Sequence, residues 1–313
     1  MGIRKITAFL YVVLFAIMAS ACANAAAPKD NQTGKIIAVG DIHGDFDAYA
    51  AILKDAGLVD DRLKWAGGET IFVQTGDIPD RGPDTRKIIE HLQAIQKQAK
   101  KKGGRVVTLV GNHEAMNMTG DLRYVDPGEF QAFVTSNSGK TRDKIYKANQ
   151  AAIEAFYLSK TPDMTPAQIR GAWNTTYPLG KIEHQIAWGP KGKIGKWVAK
   201  NPAAVLIDGT LFAHGGVSLK YANLGLDDMN DQIEAALKAQ DESAGSIIND
   251  PDGPLWYRGF IPGQTALSAA GTDNMPPPTP EQNLNAVLTA YGAKRLIVGH
   301  TPAVTGITAS YGG

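Results

Sequence analysis

One cysteine, Cys22, is all the thiol chemistry this sequence holds. A lone cysteine closes no internal disulfide and builds no cysteine-ligated metal cluster. An excess of charge is equally missing, because 32 Lys and Arg stand against 31 Asp and Glu in 313 residues. Without a basic surplus, neither nucleic acid nor an anionic membrane surface is expected as the main partner. No internal repeat divides the chain. What remains, 43% apolar and 20% charged residues, is the composition of a globular protein of one large domain or two ordinary ones.

The amino-terminal residues read as a leader. Arg4 and Lys5 precede an apolar run at 6–19, and small residues fill 19–27. A charged start, a short apolar stretch and Ala-x-Ala sites describe a secretory signal peptide over residues 1–25. The run is 14 residues long, short of the ~20 that a membrane-spanning helix needs, so an uncleaved anchor is the lesser alternative. Cleavage after Ala25 or Ala27 releases a soluble exported protein, with Pro28 disfavouring the second site. Lipid attachment at Cys22 is a rival, but Ala19-Ser20-Ala21 fits the aliphatic-led lipobox of bacterial lipoproteins poorly. The expectation is a protein of the bacterial periplasm whose mature form has no thiol.

Across the mature chain, β-branched apolar runs alternate with helix-like stretches. Residues 35–39 (KIIAV), 70–73 and 105–110 (RVVTLV) read as strands, with helices between them at 46–56 and 85–101. This alternation implies a parallel sheet with crossover connections, and ligands bind beyond the carboxyl ends of such strands. Residues 116–201 lack strong strands and read as a helical cap, with a helix near 144–158, inserted in a domain over 34–313. Asp208-Gly209 between AVLI and TLFA signals a hairpin within 203–216. A helix at 227–240, a proline-rich linker at 275–280, a helix at 281–291 and a strand at 294–298 complete the reading.

Chemistry-bearing residues collect in the loops after these strands. Gly40-Asp41-Ile42-His43-Gly44 follows the first strand and Gly76-Asp77-Ile78-Pro79-Asp80-Arg81-Gly82 the second. Gly111-Asn112-His113-Glu114 follows the third, His214-Gly215-Gly216 ends the hairpin, and Gly299-His300-Thr301-Pro302 ends the last strand. Asp and His two apart on a strand-end turn can face one ion, and flanking glycines let the backbone approach closely. Each fragment alone is weak. Five in succession, holding four of the six histidines, point to a metal site. His91 and His184 read as surface or structural residues.

This series, together with Leu255-Trp256-Tyr257-Arg258-Gly259, resembles the signatures of the phosphoprotein phosphatase branch of the calcineurin-like metallophosphoesterases. Within that branch it is most similar to the bacterial Shewanella-like protein phosphatases, over residues 35–305. The resemblance implies an α/β fold, a metallophosphoesterase β-sandwich flanked by helices, with a two-metal site at the strand ends. It implies that Asp41, His43 and Asp77 hold the first metal and that Asp77 bridges to a second, completed by Asn112, His214 and His300. Oxygen and nitrogen donors suit manganese first, with iron or zinc as alternatives. Pro302 stands where many related phosphodiesterases carry a further histidine, which favours the phosphatase branch. The resemblance also makes His113 the general acid, with Asp80 orienting it. Arg81 and Arg258 become binders of the phosphoryl oxygens, with Asn112 and Tyr257 lining the same pocket. Glu114 is expected to bond loop backbone rather than metal.

Two divalent ions bring four positive charges, and Asp41 and Asp77 return two negative ones. The surplus attracts a phosphate dianion and lowers the pKa of a bridging water, so no protein nucleophile is required. Absence of a thiol outside the leader excludes a cysteine-phosphatase route. The expected function is a two-metal phosphomonoester hydrolase, in which a metal-bridging hydroxide attacks in line and His113 protonates the leaving oxygen. Its substrates would be phosphotyrosine or phosphoserine/threonine proteins, or small phosphomonoesters. A nucleotide hydrolase similar to the symmetrical diadenosine tetraphosphatases is the alternative enzyme, and a catalytically silent binding protein the non-enzymatic one. Similar enzymes continue with further strand past the last histidine loop. Residues 307–311 are expected to supply it, unless the chain is a shortened form.

Overall fold

Alternation of side chains along six short strands decides how this chain is layered. The computed structural model describes residues 34–261, 278–304 and 306–312; the leader, Cys22 and the first half of the proline-rich stretch 275–280 lie outside them. Strands β1 (Ile36–Val39), β2 (Ile71–Gln74) and β3 (Arg105–Thr108) form a parallel sheet in the order β1-β2-β3. Helices α1 (Phe46–Asp55) and α2 (Thr85–Lys101) make the crossovers that parallel pairing requires. Helix α3 (Asn112–Thr119) follows β3 directly.

The second sheet contains β4 (Ala204–Ile207), β5 (Thr210–Ala213) and β6 (Arg295–Val298). Strands β4 and β5 are antiparallel, and β6 runs parallel to β5. Asp208 and Gly209 between β4 and β5 adopt φ of 46° and 70°, the left-handed pair that a tight hairpin demands.

Successive residues of a strand face opposite sides. Ile71, Val73 and Val107, with Leu109 just beyond β3, meet Ile207 and Phe212 of the second sheet in one buried cluster. The alternate residue Phe72 joins Leu53, Ile88, Leu92 and Ile95 of the flanking helices. Burying a side chain such as Leu92 contributes about 1.5–3 kcal/mol. Beyond the second sheet lie α10 (Leu219–Ala222), α11 (Leu226–Ala239) and α12 (Pro280–Tyr291), whose Met229, Ile233, Leu237 and Val287 are buried with Leu211 and Ala213. The result is the expected two-sheet sandwich with helices on its outer faces.

Between α3 and β4 the cap contains α4 (Pro127–Gln131), α5 (Ser138–Ala148), α6 (Gln150–Lys160), α7 (Pro166–Thr176), α8 (Lys181–Trp188) and α9 (Lys193–Val198). The helix expected near 144–158 is therefore two. Asn149 interrupts it with φ −120°, and its Nδ2 donates to Ile145 O at 2.9 Å, the local competition with the helix ladder that asparagine is prone to. The cap has its own core of Tyr146, Ile153, Ile169 and Trp173. A buried polar chain ties it to the sheet domain. Thr85 Oγ1 donates to Glu129 Oε2 at 2.8 Å, and His184 Nε2 donates to Glu129 Oε1 at 3.0 Å. His184 is thus structural, while half-buried His91 bonds Tyr49 Oη and Leu63 O.

One expectation is corrected here. Residues 307–311 form no strand: Ile307 is fully exposed, and Gly306 before it and Tyr311 at the end of the stretch adopt positive φ of 95° and 58°. Among the described residues, no helix is long and apolar enough to cross a membrane.

Candidate active site

All five histidine- and aspartate-bearing loops leave the carboxyl ends of β1, β2, β3, β5 and β6. Backbone hydrogen bonds knit them together: Ile42 and His43 N–H donate to Asp77 O at 3.0 and 3.1 Å, and Gly299 N–H donates to His214 O at 2.8 Å. Two glycines permit close approach. A Cβ on Gly111 would strike the Asp77 carboxylate, and one on Gly299 would come within 2.5 Å of Asp41 Oδ1. His43, Asp77, Asp80, Arg81 and His300 all adopt left-handed φ, between 49° and 73°, a region that non-glycine residues enter at some energetic expense.

Asp77 is the hub. It is 2% exposed; Oδ1 accepts His113 N–H at 3.0 Å and lies 3.2 Å from His214 Nε2. Oδ2 lies 3.9 Å from both His43 Nε2 and His113 Nε2. Burial opposes ionisation of this carboxyl, but the His214 and His113 rings beside it outweigh that and hold it well below the usual carboxylate range. Two tight groups result, His43 with Asp77 and His113, and Asp77 with His214 and His300, each with its candidate atoms within 4.8 Å of one another.

The histidines are set to offer one nitrogen each. His43 Nδ1 donates to Pro79 O at 3.0 Å and His214 Nδ1 to Thr75 O at 2.8 Å, which aims both Nε2 atoms inward, as in carbonyl-supported metal histidines. Burial keeps His43 below its usual pKa. At His300, burial together with the charges on His214 and Arg258 drives it down to about 3. Its Nε2 is buried and has no hydrogen-bond partner. A neutral, orphaned imidazole nitrogen beside a carboxylate is what a cation site needs. At His214 burial opposes protonation, but the nearby Asp77 charge prevails and raises it to about 9, so positive charge is wanted there.

The remaining expected ligands sit at the edges. Asn112 Oδ1 lies 3.0 Å from His214 Nε2. Asp41 is more exposed, and its Oδ1 accepts His300 N–H at 3.0 Å; it belongs to neither tight group. The donor set of carboxylate, amide and imidazole fits divalent ions of the manganese, iron and zinc type.

His113 Nδ1 donates to Asp80 Oδ2 at 2.5 Å, with both residues buried. Burial works against a charged imidazole here, but the Asp80 hydrogen bond and the charges of Asp77 and Asp80 outweigh it and raise the pKa. Sequence reasoning missed two partners of this pair. Asn117 Nδ2 donates to Asp80 Oδ1 at 2.8 Å; its position four residues after His113, one helical turn, was the available signal. Tyr124 places its ring 5.2 Å from the His113 ring and its carbonyl on Arg81 N–H at 2.9 Å, a contact that no local pattern foretells.

Arg81 and Arg258 are both exposed at the rim. Arg81 lowers the pKa of His43, and Arg258 reaches His300 O with Nη2 at 3.5 Å. Tyr257, expected to line the same pocket, is 2% exposed and packs against Phe260 and Gly216.

Glu114 bonds backbone, from three directions. Its carboxylate accepts N–H from Gly111 at 2.7 Å, Ile78 at 2.8 Å and Asp77 at 3.0 Å, locking the second and third loops together. Burial, reinforced by the Asp77 charge, raises its pKa to about 7. Glu114→Ala strands three buried donors and is expected to lower stability by about 3 kcal/mol or more. Urea denaturation of metal-free protein measures this, and an unchanged midpoint would refute the role.

Residues 34–304 match the family profile described as calcineurin-like phosphoesterase. Shewanella-like protein phosphatase 2 of Arabidopsis thaliana is 30% identical over 285 residues, covering 87% of this chain and 67% of that protein. Shewanella-like protein phosphatase 1 of Plasmodium berghei is 30% identical over 274 residues, covering 86% and 61%. Among solved structures, the cold-active protein-tyrosine phosphatase of a psychrophilic Shewanella species superposes with a TM-score of 0.58 at 27% identity, covering 86% of this chain and 66% of that one. The chain thus spans about two thirds of the length of these relatives.

Proposed function

Because the chain belongs to the calcineurin-like phosphoesterase family, we propose that it is a metal-dependent protein phosphatase that hydrolyses phosphomonoesters through a two-metal site. The observation that carries this reading is Asp77, one carboxylate shared by two groups of imidazole nitrogens. His43 and Asp41 would hold one ion and Asn112, His214 and His300 the other, with Asp77 between them. Bound there, a pair of divalent ions supplies Lewis acidity toward the phosphoryl group and acidifies water. We take manganese as the first candidate, on the donor types alone.

The chain's own residues do the rest. Arg81 and Arg258 offer planar guanidinium forks to the phosphoryl oxygens. His113 holds a proton on Nε2 for the leaving oxygen, while Asp80 on Nδ1 fixes the ring and favours its charged form. Asn117 steadies Asp80 from its other oxygen. The protein-phosphatase names of the relatives favour a phosphorylated side chain over the dinucleotide alternative. The charged, apolar and small residues at 4–27 support export, with residues 1–25 as a cleaved leader.

A phosphate-release panel tests the proposal. Chelator-stripped protein should be inactive, and Mn²⁺ should restore turnover of phosphotyrosine or phosphoserine peptides with little release from diadenosine tetraphosphate. Undiminished turnover after metal is reduced below stoichiometric traces, or activity confined to the dinucleotide, would overturn it.

A further inference from the structure

Away from the strand-end loops, the cap carries an apolar groove of about 530 Å³. Ile145, Ile153, Trp173, Tyr177, Ile182 and Ile186 form its walls, contributed by α5 to α8 and the residue after α7. Trp173 and Tyr177 stack with centroids 4.0 Å apart at 27°, giving a flat aromatic surface. The groove is open to water: Asn149 and Gln185 at its lip are exposed, and Ile186 is 63% exposed. Ile186 therefore extends the apolar lining of the groove outward into one contiguous surface, and contiguous apolar surface of this kind marks contact sites.

Cations border this surface. Arg142 Nη1 donates to Tyr177 O at 3.3 Å, and Lys181 Nζ lies 5.2 Å from the Tyr177 ring centre. Among the described residues neither has a carboxylate partner. Two donors beside the groove, Arg142 Nε and Trp173 Nε1, are buried and unbonded. The surroundings are also basic. Residues 138–200 hold eleven Lys and Arg against four Asp and Glu, in a chain that is nearly neutral as a whole.

We propose that this groove docks an acidic polypeptide segment bearing large apolar side chains, a part of the substrate protein remote from its phosphorylated residue. The apolar walls take the side chains, Arg142 and Lys181 pair with carboxylates, and the Asn149 and Gln185 amides match peptide groups as both donor and acceptor. A bilayer surface presses poorly into a concavity of this kind, whereas a flexible chain enters it. The assignment of the segment to a substrate rests on the phosphatase reading; the binding itself does not.

The test uses the full chain reconstituted with Mn²⁺ and a short fluorescein-labelled peptide of Glu, Leu and Phe without phosphate. Fluorescence anisotropy should show binding that Ile186→Glu weakens by about tenfold or more, and a Lys, Leu and Phe counterpart should not bind. Ile186→Glu should leave kcat and KM for an aryl phosphate unchanged while raising KM for a phosphopeptide extended by the acidic segment. Equal affinity of the native and variant proteins, equal affinity for acidic and basic peptides, or binding to phosphatidylglycerol vesicles without peptide binding would each overturn the proposal. Absence of aryl phosphate turnover in the native protein would strike the enzymatic reading and leave the anisotropy result to judge the groove.

Discussion

Asp77→Asn is expected to empty the site of at least one metal ion per chain and to reduce kcat by about 10³–10⁵, equivalent to ~4–7 kcal/mol of barrier. The carboxylate is shared: it faces His214 through one oxygen and both His43 and His113 through the other. An amide of the same shape keeps one acceptor but loses the negative charge, and it turns an NH₂ toward imidazole nitrogens that should face a cation. The backbone does not confuse the result. Asp77 sits at φ 56°, a left-handed conformation that asparagine tolerates as well as aspartate does. Elemental analysis of the purified variant, with turnover of an aryl phosphate, makes the measurement. A full complement of metal at native kcat would remove the shared carboxylate from the mechanism.

His113→Asn should behave in the opposite way, retaining metal while kcat falls by about 10²–10⁴. The ring makes no bond that the fold depends on other than the one to Asp80, so the variant is expected to fold. Its deficit should also depend on the leaving group. A nitrophenolate departs without help, so its loss should sit at the low end of the range, whereas a serine alkoxide needs the proton and should show the full effect. A deficit of the same size for both leaving groups would assign His113 to positioning or metal support instead of proton donation. Metal content measured in parallel separates these outcomes.

Local pattern and distant contact divide what could be read from the chain. Helix α2 was visible from Thr85 to Lys101 because its apolar spacing buries Ile88, Leu92 and Ile95 on one face, and the hairpin was visible because Asp-Gly strongly favours a tight two-residue turn. The site loops were legible for a similar reason: each follows its strand within a few residues, so topology alone gathers them. The break at Asn149 was not, since α5 and α6 both present apolar faces and the first helix ends on local bonds from the Asn149 side chain and backbone to Ile145 O and Tyr146 O. Tyr124 beside His113 escaped because the loop carrying it is placed by the fold, eleven residues after the ring it meets. Tyr257 and Arg258 are neighbours with different surroundings: the arginine is exposed and reaches His300 O, while the tyrosine is buried against Phe260.

The left-handed residues set a boundary for anyone engineering heat resistance into this enzyme. Replacing a strained non-glycine residue by glycine is a familiar way to relax a backbone, and His43, Asp77, Asp80, Arg81 and His300 present five such openings. Every one of them carries a side chain to which the proposed mechanism gives a role. Robustness would therefore have to be sought elsewhere, and Leu63 or Gln240, which share that conformation outside the site, are the places to begin.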